Sequence, residues 1–132
     1  MKTIDLETAP RSATTRPTLN EGEHYAGLIL GKDGEADYHL ILLPGEANDI
    51  NWHDAKTWAA EQGGELPTCR EQSLLFANLQ EQFQPRWYWS CEEYKEHANY
   101  AWIQHFDDGD QLYNYKGYEY CARAVRRVEI GK

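Results

Sequence analysis

The sequence predicts an α+β fold in which two helices pack on a twisted antiparallel sheet with long loops. Three observations carry that expectation. Two apolar runs near the start flank a turn signal. Two stretches of helical period then follow each other with no strand between them. Beyond Pro85 the pattern changes to short, aromatic-rich strands. Strands and helices that segregate along a chain favour an antiparallel sheet with helices on one face.

Residues 1–21 hold Pro10, Pro17 and a Ser/Thr-rich stretch with little apolar periodicity, and read as a flexible or extended arm. A single domain is expected over 22–132. Its first elements are runs at Tyr25–Leu30 and Tyr38–Leu43, joined through Lys32-Asp33-Gly34 as a hairpin. Pro44-Gly45 stops the second run.

Asn51 or Asp49 can cap a helix over about Trp52–Gln62, with Trp52, Ala55, Trp58 and Ala59 on its apolar face. Gly63-Gly64 ends it. Thr68, with Glu71 three residues on, is a capping box that opens a second helix. Its face is Leu74, Leu75, Leu79 and Phe83, and Pro85 bars continuation. Strands are then expected at Trp87–Ser90, Tyr100–Phe106, Gln111–Tyr115 and Cys121–Val128, with Asp108-Gly109 as a tight turn.

The segment Trp87–Tyr120 is the richest in functional signal, since eleven of its thirty-four residues are aromatic. Tyr and Trp join a large apolar face to a polar tip, so an exposed set of them grips a ligand at low entropic cost. Thirteen basic against twenty-two acidic residues leave a net charge of −9. That balance argues against direct nucleic-acid binding, which needs clustered Lys and Arg. No apolar run is long enough to span a bilayer, and MKTIDLETAP lacks the apolar centre of a signal peptide. The expectation is cytoplasmic synthesis, with association to a virion afterwards, and no membrane partner.

Chemistry has weaker signals. Cys69, Cys91 and Cys121 form no CxxC or Cys/His pattern and are expected as reduced thiols. Cys69 stands at a helix start beside Arg70, where dipole and charge would lower its pKa, but no partner base is evident. His24, His39, His53, His97 and His105 show no HExxH or His-x-His spacing. Asp107-Asp108-Gly109-Asp110 gathers carboxylates around a glycine without the alternation of a calcium loop. No cofactor and no metal site is therefore expected, and no enzyme activity.

The runs GGELPTCREQSLLFANL, WYWSCEE, YAWIQHFDDGDQ and ARAVRRV together resemble the Lcl C-terminal-domain family of phage and bacterial proteins. The shared landmarks are Leu66-Pro67-Thr68, Trp89-Ser90, Tyr100-Ala101-Trp102, Phe106 with Gly109, and Arg123-Ala124-Val125-Arg126. The resemblance covers about residues 22–128. It implies a C-type-lectin-like fold that displays variable loops to a protein or glycan, with Trp89, Trp102 and Val125 buried. It also implies that Arg123 or Arg126 pairs with a carboxylate near the core. The chain lacks the Glu-Pro-Asn, Gln-Pro-Asp and Trp-Asn-Asp tripeptides of calcium-dependent lectins.

The expected function is a non-enzymatic recognition module, phage or prophage encoded, with its binding face in about Glu92–Tyr120. The candidate ligand-binding residues are Tyr94, Tyr100, His105, Asp108, Asp110, Tyr113, Tyr115, Lys116 and Tyr118. Rings would supply area, and charges orientation. Two alternatives stand beside it. One is a small acidic inhibitor of a host defence or nucleic-acid enzyme, acting through Glu92, Glu93, Glu96, Asp107, Asp108 and Asp110. The other is a structural virion subunit that self-associates as a homo-oligomer.

Overall fold

The computed structural model describes residues 16–130, so all but the last six residues of the expected arm lie outside the described residues. The fold is α+β, with two helices and two sheets. Strands β1 (His24–Ile29) and β2 (Tyr38–Leu42) form the expected hairpin. Asp33 and Gly34 adopt φ of 54° and 86°, and the Glu35 N–H donates to Lys32 O at 3.0 Å. This tight turn forms the tip of the loop 30–37 that joins the two strands. Strand β3 (Ala47–Ile50) follows, and sequence reasoning did not expect it. Its four residues have no apolar alternation, and it exists by pairing with a strand 70 residues downstream.

Helix α1 (Trp52–Glu61) is capped by Asn51, whose side chain accepts from the Asp54 N–H at 2.9 Å. Helix α2 (Cys69–Leu79) opens on Thr68 with both halves of the capping box formed. A 3-10 turn at Gln80–Gln82 ends it early, so Phe83 reaches the core from beyond the helix and stacks on Phe106 at 3.9 Å. Strands β4 (Trp87–Glu93), β5 (Tyr100–His105) and β6 (Gln111–Tyr115) form an antiparallel meander.

The expected final strand is two strands. Strand β7 (Tyr120–Ala122) joins the five-stranded sheet, ordered β3-β7-β4-β5-β6. Strand β8 (Val125–Glu129) closes the three-stranded sheet, ordered β1-β2-β8. Its burial reads as one apolar run, but the chain crosses from one sheet to the other at Arg123-Ala124. The β4–β7 pairing at Tyr88 and Cys121 is parallel, so the larger sheet is mixed rather than purely antiparallel.

Adjacent residues of β4 divide the core in two, because successive side chains on a strand point to opposite faces. Tyr88 packs with Leu40, Leu42, Leu75, Leu79, Phe106 and Val125 beneath α2. Trp89 packs with Leu43, Trp52, Ala55, Ala59, Ala101 and Ile103 beneath α1. The five-stranded sheet is thus covered on both faces at its centre and leaves β6 at its open edge. Trp102, expected in the core, is only half-buried.

A polar weld ties the smaller sheet to α2. Glu71 is wholly buried, and its carboxylate accepts from Arg127 Nε at 2.6 Å and Arg127 Nη2 at 2.9 Å. The Tyr38 hydroxyl and the Thr68 N–H complete the shell. Burial alone would raise the Glu71 pKa, but hydrogen bonds from Arg127, Tyr38 and Thr68 outweigh it and hold the carboxyl below its ordinary range. Arg126 pairs with Glu23 through two contacts of 2.9 Å, and Arg123 Nη1 lies 3.9 Å from Glu46. The most deeply buried carboxylate, however, belongs to Arg127, which sequence reasoning had not assigned.

Candidate binding face

Strands β5 and β6 pair in a regular register, Tyr100 opposite Tyr115 and Trp102 opposite Tyr113. The Lys116 N–H donates to Asn99 O and the His105 N–H to Asp110 O. Ladder alternation therefore makes both aromatic pairs non-hydrogen-bonded, the kind in which facing side chains sit closest. All four rings lie on one sheet face, since residues two apart on a strand share a side.

The β4–β5 loop lays a fifth ring over them. The Tyr94 N–H donates to Tyr100 O at 2.9 Å, which fixes the loop. The Tyr94 ring then stacks on Tyr113 with centroids 3.8 Å apart and planes 10° apart. Trp102 meets Tyr94 at 5.7 Å and Tyr113 at 5.5 Å, both edge to face. His97 extends the cluster through Tyr100 at 4.4 Å. The two edge-to-face contacts of Trp102 have the favoured geometry for aromatic pairs, each worth roughly 0.5–1.5 kcal/mol beyond area burial. The Tyr113 hydroxyl beside it pushes the Tyr94 pKa up to about 12, so the Tyr94 hydroxyl stays protonated at physiological pH.

The structure brings Tyr94, Tyr100 and Tyr113 into one cluster and adds Trp102 and His97, which were not among the candidates. Alternation did carry a signal for Trp102, two residues from Tyr100. Tyr115 and Tyr118 pack edge to face at 5.5 Å just beyond, and both are about half exposed. The Tyr115 ring also walls a cleft of about 320 Å³ with Asn51, His53, Asp54 and Asn99.

Four candidates lie elsewhere. Lys116 is buried, not displayed: its Nζ donates to Glu93 at 2.7 Å and sits 4.4 Å above the Trp52 ring. The β-pattern placed it on an exposed strand end, whereas its aliphatic stem follows the apolar surface of α1. His105 points to the other face of β5, edge-on to Trp87 at 4.9 Å. Asp108 and Asp110 occupy the turn at the far end of β5, about 17 Å from Tyr100 by strand rise. There Asp108 Oδ1 accepts the Asp110 N–H at 3.0 Å, and His105 Nδ1 accepts the Asp107 N–H at 3.1 Å. The candidates therefore occupy two ends and two faces of one sheet.

The acidic groups are dispersed in the same way. Glu92 accepts the Cys69 N–H, Glu93 holds Lys116, and Asp107–Asp110 lies beyond the opposite end of β5. Among the described residues no three His, Cys, Asp or Glu side chains converge as metal ligands. No helix there is long and apolar enough to cross a membrane.

Cys69 contradicts the expectation of a lowered pKa. Burial, followed by the Glu92 charge, pushes Cys69 up to about 12, and burial takes Cys91 and Cys121 up to about 11. Arg70 does not offset this, because its guanidinium turns away to Leu30 O at 2.6 Å. In comparisons with known proteins, no family model and no curated protein matches this chain.

Proposed function

We propose that the chain is a non-enzymatic recognition module of phage or prophage origin that grips a protein or glycan through the Tyr94–Tyr100–Trp102–Tyr113 face. The observation that carries this reading is the stacked ring cluster at the open edge of the five-stranded sheet. Its rings are locked by register and by the Tyr94 backbone bond before any ligand arrives. A pre-ordered aromatic surface avoids much of the side-chain entropy that binding otherwise costs. The scaffold proposed for it is C-type-lectin-like, on the strength of the sequence landmarks and of two helices packed on short strands. The raised thiol pKa values support a binding role over nucleophilic catalysis, because the thiolate is the reactive form.

The test is binding of labelled protein to intact bacterial cells, beside a pull-down from their lysate at low and high salt. Tyr94→Ala combined with Tyr113→Ala should weaken surface binding at least about tenfold, as expected for central aromatic anchors. Unchanged surface binding in the double variant would sink the assignment of this face. A salt-sensitive intracellular partner without surface binding would instead support the acidic-inhibitor function.

A further inference from the structure

The cleft walled by Tyr115 holds about 320 Å³, at the small end of ligand sites, which run roughly 300–1,000 Å³. It suits one small molecule rather than a length of chain. Lys116 ties two of its walls together through its backbone. The Lys116 N–H donates to Asn99 O at 2.8 Å, on the β4–β5 loop, and its carbonyl accepts the Trp52 N–H at 3.1 Å, at the start of α1. The Lys116 side chain is buried and bonded to Glu93 at 2.7 Å, so it brings no free charge to the cleft.

The third wall is the Tyr115 ring, and Gly117 sets where it lies. A Cβ at Gly117 would stand 2.4 Å from the ring, so the ring rests directly on that backbone and any side chain there would displace it. Tyr118 supports the same ring edge to face at 5.5 Å.

The polar groups around the cleft are positioned but not used up. The Asn51 amide accepts the Asp54 N–H at 2.9 Å and donates to Asp54 Oδ2 at 3.2 Å, which leaves Asp54 Oδ1 open. The His53 ring is held edge-on to Trp52 at 5.1 Å. Among the described residues nothing bonds the Asn99 side-chain amide, the His53 imidazole or the Tyr115 hydroxyl.

We propose that this cleft binds one neutral pyranose ring. An aromatic wall covers the apolar C–H face of a sugar. An amide, a carboxylate, an imidazole and a phenol opposite or beside it supply the mixed donors and acceptors that ring hydroxyls require. An apolar ligand would strip water from those groups without replacing its hydrogen bonds. An anion meets the Asp54 carboxylate, no free Lys or Arg on the walls, and a chain of net charge −9. A cation meets the partial positive charge of the α1 N-terminus, which Asp54 already offsets. The walls are fixed before binding, so little ordering entropy is lost. This site is separate from the Tyr94–Trp102–Tyr113 cluster, and neither depends on the other.

Amide chemical shifts of the full chain, followed during titration with sugars, test the proposal. The probes are the methyl pyranosides of glucose, galactose and mannose, N-acetylglucosamine, and glucuronate as the anionic control. Each is taken to about 20 mM, enough to fill a millimolar site. At least one neutral pyranose should shift the amides of His53, Asn99 and Gly117, and glucuronate should bind at least about tenfold more weakly. Tyr115→Ala should weaken the neutral sugar at least about tenfold. Gly117→Ala should do the same by moving the ring while every cleft side chain is kept, and an unchanged urea midpoint would show that the fold survives. Tyr94→Ala with Tyr113→Ala should leave the titration as it was. No response to any neutral pyranose, equal binding of glucuronate, or shifts that survive both Tyr115→Ala and Gly117→Ala would overturn the proposal. Sugar binding lost only in the Tyr94 and Tyr113 variant would also overturn it, while supporting the aromatic face as the glycan site.

Discussion

Replacing Arg127 by Met removes the guanidinium that binds Glu71 and keeps a side chain of similar reach. Two short charge-assisted bonds, at 2.6 and 2.9 Å, are lost, and a wholly buried carboxylate keeps only the Tyr38 and Thr68 donors. Breaking a buried pair from one side costs about 3–5 kcal/mol. Arg127 is 26% exposed, and two donors survive, so the lower end applies, about 3 kcal/mol. For a chain of this size that is a fall in Tm of roughly 10 °C.

The loss should depend on pH in a definite direction. The native pKa of Glu71 lies below its ordinary 4.5, so its contribution is fully present above 4.5 and disappears as pH falls through the native value. In Arg127→Met, burial is no longer offset by the guanidinium, and the native pKa should rise above 4.5. The variant then gains stability as pH falls toward 4.5. The gap between the two proteins should therefore be widest at pH 7 and narrow by pH 4. Urea unfolding followed by Trp fluorescence at pH 7, 5.5 and 4 measures it, with an unchanged m-value as the control. A gap under about 1 kcal/mol at pH 7, or one that does not narrow with acid, would refute the role assigned to this pair.

Other outcomes follow from single contacts. Gly64→Ala would place a Cβ 2.3 Å from Val125 O, against backbone that cannot swing aside, and should cost at least about 2 kcal/mol in thermal or urea unfolding. Thr68→Ala removes one half of the capping box and should cost about 1 kcal/mol, visible as a lower urea midpoint at constant slope. With Cys69 pushed up to about 12 and Cys91 and Cys121 to about 11, iodoacetamide at pH 8 should label all three far more slowly than a free thiol. Mass spectrometry with and without denaturant checks this, and rapid labelling of native Cys69 would contradict it.

Much of the fold was legible wherever the signal was local. The Thr68–Glu71 capping box, Asn51 as a cap, the Asp33-Gly34 turn and the β5–β6 pair depend on residues a few positions apart, and each forms as expected. Misreadings arose where the partner was distant. Strand β3 lacks a pattern of its own and is created by β7. The run from Cys121 to Val128 looked like one strand because both sheets demand apolar residues, and only the two cores show where it must cross. Lys116 looked exposed because a lysine at a strand end usually is, and nothing nearby announces that Trp52 and Glu93 will enclose it.

The sequence by itself determined the α+β class, the two helices with their caps, the aromatic wealth of the last third and the acidic balance. These depend on composition and on short-range periodicity, which any stretch of chain carries with it. Tertiary structure alone decided which rings meet, that His105, Asp108 and Asp110 stand apart from them, and that Arg127 rather than Arg123 or Arg126 secures the most buried carboxylate. Those outcomes depend on strand order and register, set by contacts between segments tens of residues apart. A register fixes every facing pair at once, so one long-range pairing sorts the same aromatic residues into core, binding face and open edge.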